Sequence, residues 1–194
     1  ASESLGLNVG ARVGTASPRR SALLGVYAPQ ASAIPIRGNV PTRIRNCLEG
    51  RIDAVILAQA GIDRLGAAID TLLAEVSCTS LNPVQWLPAP GQAAIAIQAR
   101  DDDQDLLDVL AAIDDCSTGI AVDLERRLLR SAGVGCGASL GVYARLVDDG
   151  TWRADVGLLD GQARWRTQHA VGDLRAIEQR LADWISRVSP ERRG

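Results

Sequence analysis

The sequence predicts an α/β lobe with an open mixed sheet, followed by a small α+β unit of three antiparallel strands and helices. Three observations carry that expectation. The first ninety residues repeat a strand, polar loop, helix order, which is the grammar of βαβ units. Asp149-Gly150 and Asp160-Gly161 separate β-rich segments near the end, as in hairpins. Residues 173–188 place Leu174, Ile177, Leu181, Trp184, Ile185 and Val188 on one helical stripe.

Residues 11–15 (ARVGT) read as the first strand, and the run SALLGVYA from Ser21 reads as helix. Ser17 suits the N-cap and Pro18 the first helical position, so Arg19 and Arg20 fall in the first turn. A cation there costs about 0.3–1 kcal/mol, whereas an anion is favoured by free N–H groups and the helix dipole. The two arginines therefore either point into water or answer an anionic ligand. Residues 33–36 form the second expected strand, Arg37-Gly38-Asn39 a loop, and residues 40–49 a helix stopped by Gly50. Ile52–Ala58 reads as a buried strand, apolar on both faces after Asp53, and a short helix with Asp63 and Arg64 follows.

Arg19, Arg20, Arg37, Arg43 and Arg64 all lie just after strand ends, where open α/β sheets bind their ligands. Five guanidinium groups there point to a ligand with several carboxylates or phosphates. No GxGxxG or GxxxxGK[ST] stands behind a nucleotide reading. Further along, Ala93–Ala99 reads as a strand, and DDDQDLLD (101–108) as the acidic first turn of a helix. Residues 140–147, 151–159 and 163–170 are the strands of the last unit. Trp152, Trp165 and Trp184 suit a core or partly buried setting, and His169 a strand end without a catalytic role.

Composition narrows the chemistry. All 21 basic residues are Arg, with no Lys, so lysine Schiff-base chemistry is excluded. His169 is the only histidine, which argues against histidine metal clusters and Ser–His triads. Net charge is −2, but residues 12–64 carry eight Arg against three acids. That block lacks an aromatic platform beyond Tyr27, so RNA binding is a weak reading. Cys47, Cys78, Cys116 and Cys136 show no zinc spacing and no disulfide framework, as in a cytosolic protein. No apolar run approaches the ~20 residues that span a bilayer. Cys136 lies between Gly135 and Gly137, open to a large adduct, although a cysteine in such a setting is more often structural.

Four blocks resemble the porphobilinogen deaminase family, in the same order: VGTASPRRSALL (13–24), IRGNVPTRIRNCLEGRIDAVILAQAGIDRLG (36–66), LPAPGQAAIAIQAR (87–100) and GVGCGASLGVYARL (133–146). The resemblance implies a transferase, hydroxymethylbilane synthase, of haem (tetrapyrrole) biosynthesis. It joins four porphobilinogen units into a linear tetrapyrrole, releasing ammonia at each, on a dipyrromethane cofactor linked by a thioether to cysteine. By motif, Cys136 matches the cofactor-bearing cysteine. Arg19, Arg20, Arg37, Arg43 and Arg64 match the arginines that grip carboxylates of cofactor and substrate. Gly38 belongs to the RGN motif, Thr15 and Ser17 match hydroxyl ligands, and Gln92 matches the glutamine of the PAxGQG block.

The resemblance further implies a periplasmic-binding-protein-like lobe over 1–86, a returning strand and helix of an incomplete first domain over 87–115, and a C-terminal α+β domain over 116–194. The family's HSxKD segment, with its catalytic aspartate, has no counterpart in these residues, so no catalytic residue is assigned. The expectation is a fragment, a truncated product or a degenerate relative. GQAA in place of GQGA, and Gly137-Ala138-Ser139 after the cysteine, also depart from the family. Expected partners are porphobilinogen and the growing polypyrrole, with no metal, nucleic acid or membrane. Intact members would act as cytoplasmic monomers, while this chain is open to self-association. The competing expectation is a non-catalytic lobe that binds a small polycarboxylate.

Overall fold

A computed structural model describes residues 5–133, 139–147 and 150–189. In chain order the lobe contains β1 (Arg12–Gly14), α1 (Pro18–Tyr27), β2 (Ser32–Ile34), α2 (Val40–Leu48), β3 (Ala54–Val55) and α3 (Gln59–Asp63). A 3₁₀ turn (Gly66–Ile69) and α4 (Asp70–Ala74) close it. The strands are parallel in the order β2-β1-β3, so the lobe's sheet is parallel and not the mixed sheet expected. The chain leaves central β1 for a neighbour on one side, then returns to its other side. That reversal is a topological switch point.

β3 is shorter than the expected Ile52–Ala58 strand. It has one neighbour, and pairing continues only through Asp53 N–H to Arg12 C=O (2.8 Å) and Ile56 N–H to Gly14 C=O (3.2 Å). With one neighbour only, Ala54–Leu57 are half-buried instead of buried on both faces. The lobe's core is Val13, Leu23, Leu24, Ala28 and Trp86, with Leu5, Leu7, Tyr27 and Leu81 packed against it. Tyr27 draws in the segment after α4: its ring lies 5.7 Å from that of Trp86, and its hydroxyl donates to Gln85 C=O at 3.0 Å.

The expected strand Ala93–Ala99 does not form. Among the described residues no strand lies alongside to accept its backbone, and Ile95 and Ile97 remain 77% and 59% exposed. The helix after it does form, as α5 (Gln104–Ala111), with Asp103 accepting from Leu106 N–H as N-cap.

The last unit pairs α6 (Cys116–Ser131) and α7 (Leu174–Val188) with β4 (Leu140–Leu146), β5 (Trp152–Leu159) and β6 (Trp165–Gly172). The three strands are antiparallel in the order β4-β5-β6. Ile177, Leu181 and Ile185 of the predicted α7 stripe are buried with Leu124 and Leu128 of α6 and Val142 and Val156 of the sheet. β6 runs two residues beyond the expected 163–170, so His169 sits within the strand, paired with Asp155 and exposed. The Asp160-Gly161 signal marks a five-residue connection, longer than the three residues between the expected strands. Asp160 accepts from Gln162 and Arg164 N–H, and Ala163 takes the left-handed conformation (φ 56°).

Candidate anion-binding site

Ser17 shapes the start of α1. Its side chain accepts from Arg20 N–H at 3.4 Å, its carbonyl accepts from the Ser21 hydroxyl, and Pro18 opens the helix. The next side chain, Arg19, is only 6% exposed, and its Nη1 donates to Leu87 C=O at 2.8 Å. Arg20 reaches across the sheet to donate to Ile56 C=O, just past β3, also at 2.8 Å. Both guanidinium groups thus stand at the carboxyl ends of β1 and β3, at the switch point.

Burial without an ion pair sets Arg19, Arg20 and Arg43 apart, because the other described arginines that form none, Arg45, Arg126 and Arg166 among them, are exposed. Arg12, Arg51, Arg100, Arg127, Arg145, Arg153 and Arg164 are each paired with a carboxylate. Among the described residues, none of Arg19, Arg20, Arg37, Arg43 or Arg64 forms an ion pair. Burial, and then the charge of Arg20, brings the Arg19 pKa down to about 10. Burial also lowers Arg20, and the nearby Arg43 charge lowers it further. Arg19 and Arg20 remain cationic at neutral pH, beside Arg43 and with no internal counter-ion in the described structure.

The other motif residues divide. Arg43 belongs to the cluster, and its Nε donates to Gly38 C=O at 2.8 Å. Gly38 has φ +105°, and a Cβ there would meet the Thr42 side chain at 2.8 Å, so glycine is required. Thr15 is 3% exposed beneath the cluster, and its Oγ1 accepts from Ser17 N–H at 3.2 Å. Arg37 follows β2 and Arg64 follows α3; both are exposed. Gln92 is exposed in the turn after the 86–91 segment, and no side-chain hydrogen bond ties it to the cluster. Cys136 lies outside the described residues. Cys47 is half-buried, with its thiol pKa raised by burial and then by Asp53, while Cys78 and Cys116 are exposed.

Two groups escaped the sequence reading. The backbone carbonyls of Ile56 and Leu87 hold the two arginines, and nothing in side-chain spacing could reveal them. Glu125 is 6% exposed, and its carboxylate accepts from Gly91 N–H (2.6 Å) and Ala144 N–H (2.8 Å). Burial raises its pKa, and the two N–H donors pull it back in part. The available signal was an acid on the apolar stripe of α6, beside Leu124 and Leu128.

The family model for porphobilinogen deaminase, dipyromethane cofactor binding domain, matches residues 2–108. That is more than half of the chain, and it contains the whole arginine cluster. The chain belongs to the porphobilinogen deaminase family. It is 40% identical to the porphobilinogen deaminase of Nocardia farcinica over 142 residues, which are 73% of this chain and 39% of that protein. It is 42% identical to that of Mycobacterium leprae over 158 residues, 81% of this chain and 45% of that protein. The Mycobacterium tuberculosis deaminase is 42% identical over 142 residues, 73% of this chain and 44% of that protein. The chain therefore spans less than half the length of these relatives. No helix among the described residues is long and apolar enough to cross a membrane. No group of three or more His, Cys, Asp or Glu among them could hold a metal ion.

The cluster fits the cofactor named by the family model. A dipyrromethane of this family carries carboxylate side arms, and a buried guanidinium without a counter-ion is what a carboxylate completes.

Proposed function

We propose that this chain supplies the porphobilinogen deaminase parts that grip the carboxylates of a cysteine-linked dipyrromethane and of the pyrrole chain extended from it. In that activity, hydroxymethylbilane synthesis, four porphobilinogen units are joined into a linear tetrapyrrole with release of ammonia. The observation that carries the reading is Arg19: nine-tenths buried, charged, and unpaired by any carboxylate among the described residues.

Cys136 holds the cofactor through its sulfur, the thiolate being the competent nucleophile. When bound, the dipyrromethane supplies the pyrrole ring to which each new unit is joined. Arg19 and Arg20 hold carboxylates in the low-dielectric crevice at the switch point, and Arg43 adds positive charge beside Arg20. Thr15 and Ser17 shape the loop and Gly38 lets the backbone approach. Arg37 and Arg64, exposed at neighbouring strand ends, and Gln92 serve carboxylates farther along the growing chain. The division into a periplasmic-binding-protein-like lobe (1–86), a returning segment (87–115) and a cofactor-bearing unit (116–194), acting in the cytoplasm, belongs to the same proposal.

Titration calorimetry with porphobilinogen and with simple dicarboxylates, on the parent, Arg20→Ala and Cys136→Ala, tests it. The proposal expects binding to fall in Arg20→Ala and dipyrromethane-dependent binding to vanish in Cys136→Ala. Binding that depends on the arginines but ignores the thiol would instead mark a non-catalytic polycarboxylate lobe.

A further inference from the structure

Arg19 and Arg20 are neighbours in α1, yet different parts of the molecule hold them. Arg20 donates to Ile56 C=O, inside the lobe, whereas Arg19 donates to Leu87 C=O, in the segment of residues 86–91. That segment is seated on the sheet of the last unit. Val142 N–H of β4 donates to Pro88 C=O at 3.0 Å. Leu87, only 1% exposed, fills a socket made by two glycines. A Cβ at Gly157 in β5 would lie 2.7 Å from Leu87 Cδ1, and one at Gly141 in β4 would lie 2.6 Å from Leu87 Cβ. The Cβ at Gly141 would also stand 3.0 Å from the Leu87 carbonyl oxygen, the atom that Arg19 holds.

Both glycines lie within strands and neither has a positive φ, so backbone conformation does not demand them. Glycine weakens a strand, and its use there marks the close approach of another backbone. At Gly141 the approaching backbone is that of Leu87. The consequence reaches the anion site. A guanidinium carries five donors in a rigid fork, so a hydrogen bond from one of them to a fixed carbonyl orients the rest. The position of that carbonyl therefore sets how Arg19 stands relative to Arg20, and with it the carboxylate spacing that the pair accepts.

We infer that Leu87 is a positioning residue: its side chain, seated on Gly141 and Gly157, places the carbonyl that orients Arg19, so the sheet of the last unit tunes the anion site of the lobe. This rests on the reading of Arg19 and Arg20 as carboxylate ligands given above. Leu87 acts through Arg19 and does not itself touch the anion in this role.

Calorimetry with porphobilinogen on the 194-residue chain tests this, at low ionic strength so that weak charge-driven binding is readable. Gly141→Ala displaces the Leu87 carbonyl without altering an arginine. With circular dichroism unchanged, it should weaken binding at least about threefold. Arg19→Lys, which keeps the charge and loses the fork, should weaken binding as well. The two losses should not add: in an Arg19→Lys background, Gly141→Ala should change Kd by less than about 1.5-fold. An unchanged Kd in Gly141→Ala, with Arg19→Lys weakened, overturns the positioning role alone. A loss of equal size in both backgrounds is general damage to the fold, and it overturns that role too. Arg19→Lys binding as tightly as the parent overturns the reading of Arg19 as a carboxylate ligand, and the positioning role with it. Should Gly141→Ala not fold, Leu87→Val replaces it in the same cycle, with the same outcomes. That change shortens the side chain in the socket, at a position before Pro88 where extended backbone suits a β-branched residue.

Discussion

At the scale of single residues, the buried charge of Arg19 costs stability, a cost that the proposed binding role would explain. Its pKa of about 10, lowered first by burial and then by the charge of Arg20, corresponds to a combined penalty of about 3 kcal/mol at neutral pH. That penalty eases only as pH rises through the folded pKa. Arg19→Met removes it but leaves Leu87 C=O without its donor, a loss of about 1–3 kcal/mol. The two nearly cancel, so the thermal midpoint of Arg19→Met should stay close to that of the parent while polycarboxylate binding is lost in calorimetry. Asp155 behaves in the opposite sense. Burial raises its pKa, but Arg153 and Arg145, at 2.8 and 2.9 Å, outweigh burial and leave it below the usual carboxylate range. Its contribution is therefore complete above about pH 4 and lost as pH falls through the lower folded value. Urea unfolding followed from pH 6 downward should show this loss, and Asp155→Asn should flatten it.

At the scale of elements, local rules and packing can be separated with glycines. Gly25 lies within α1 with nothing within 4 Å of a would-be Cβ, so Gly25→Ala should stabilise by about 0.5–1 kcal/mol. Gly141 would press a Cβ to 2.6 Å from Leu87 Cβ and 3.0 Å from its carbonyl oxygen. Gly141→Ala should cost about 1–3 kcal/mol in chemical denaturation by pushing the 86–91 segment out of its socket. Helices were the legible part of the sequence. Ser17 announces the start of α1 and accepts the expected backbone N–H, whereas Asp103 and Asp173, which the sequence places inside their helices, are the N-caps of α5 and α7. Strands were less legible, because pairing is not local. Residues 52–58 and 93–99 have the composition of strands, but only Ala54–Val55 find a partner. The arginine cluster was half legible: its location follows from strand ends, whereas the Leu87 and Ile56 carbonyls and Glu125 emerge only from tertiary packing.

At the scale of the whole molecule, one stretch brings several exposed apolar side chains close together in sequence. Ile95, Ile97, Val109 and Ile113 are 77%, 59%, 63% and 67% exposed along the unpaired segment, α5 and the residues just after it. Such a surface favours association. Sedimentation velocity over a concentration series should show self-association of the chain, and a combined Ile97→Glu, Val109→Glu variant should shift it toward monomer. The most direct measurement of the central claim, that the arginine cluster and Cys136 jointly hold a covalent polycarboxylate, is intact mass after reconstitution with the cofactor precursor. The account predicts one dipyrromethane adduct, mapped by peptide analysis to Cys136, absent in Cys136→Ser and strongly reduced in Arg19→Met. An unmodified Cys136 in folded, reconstituted protein, or an adduct indifferent to the arginines, would contradict it.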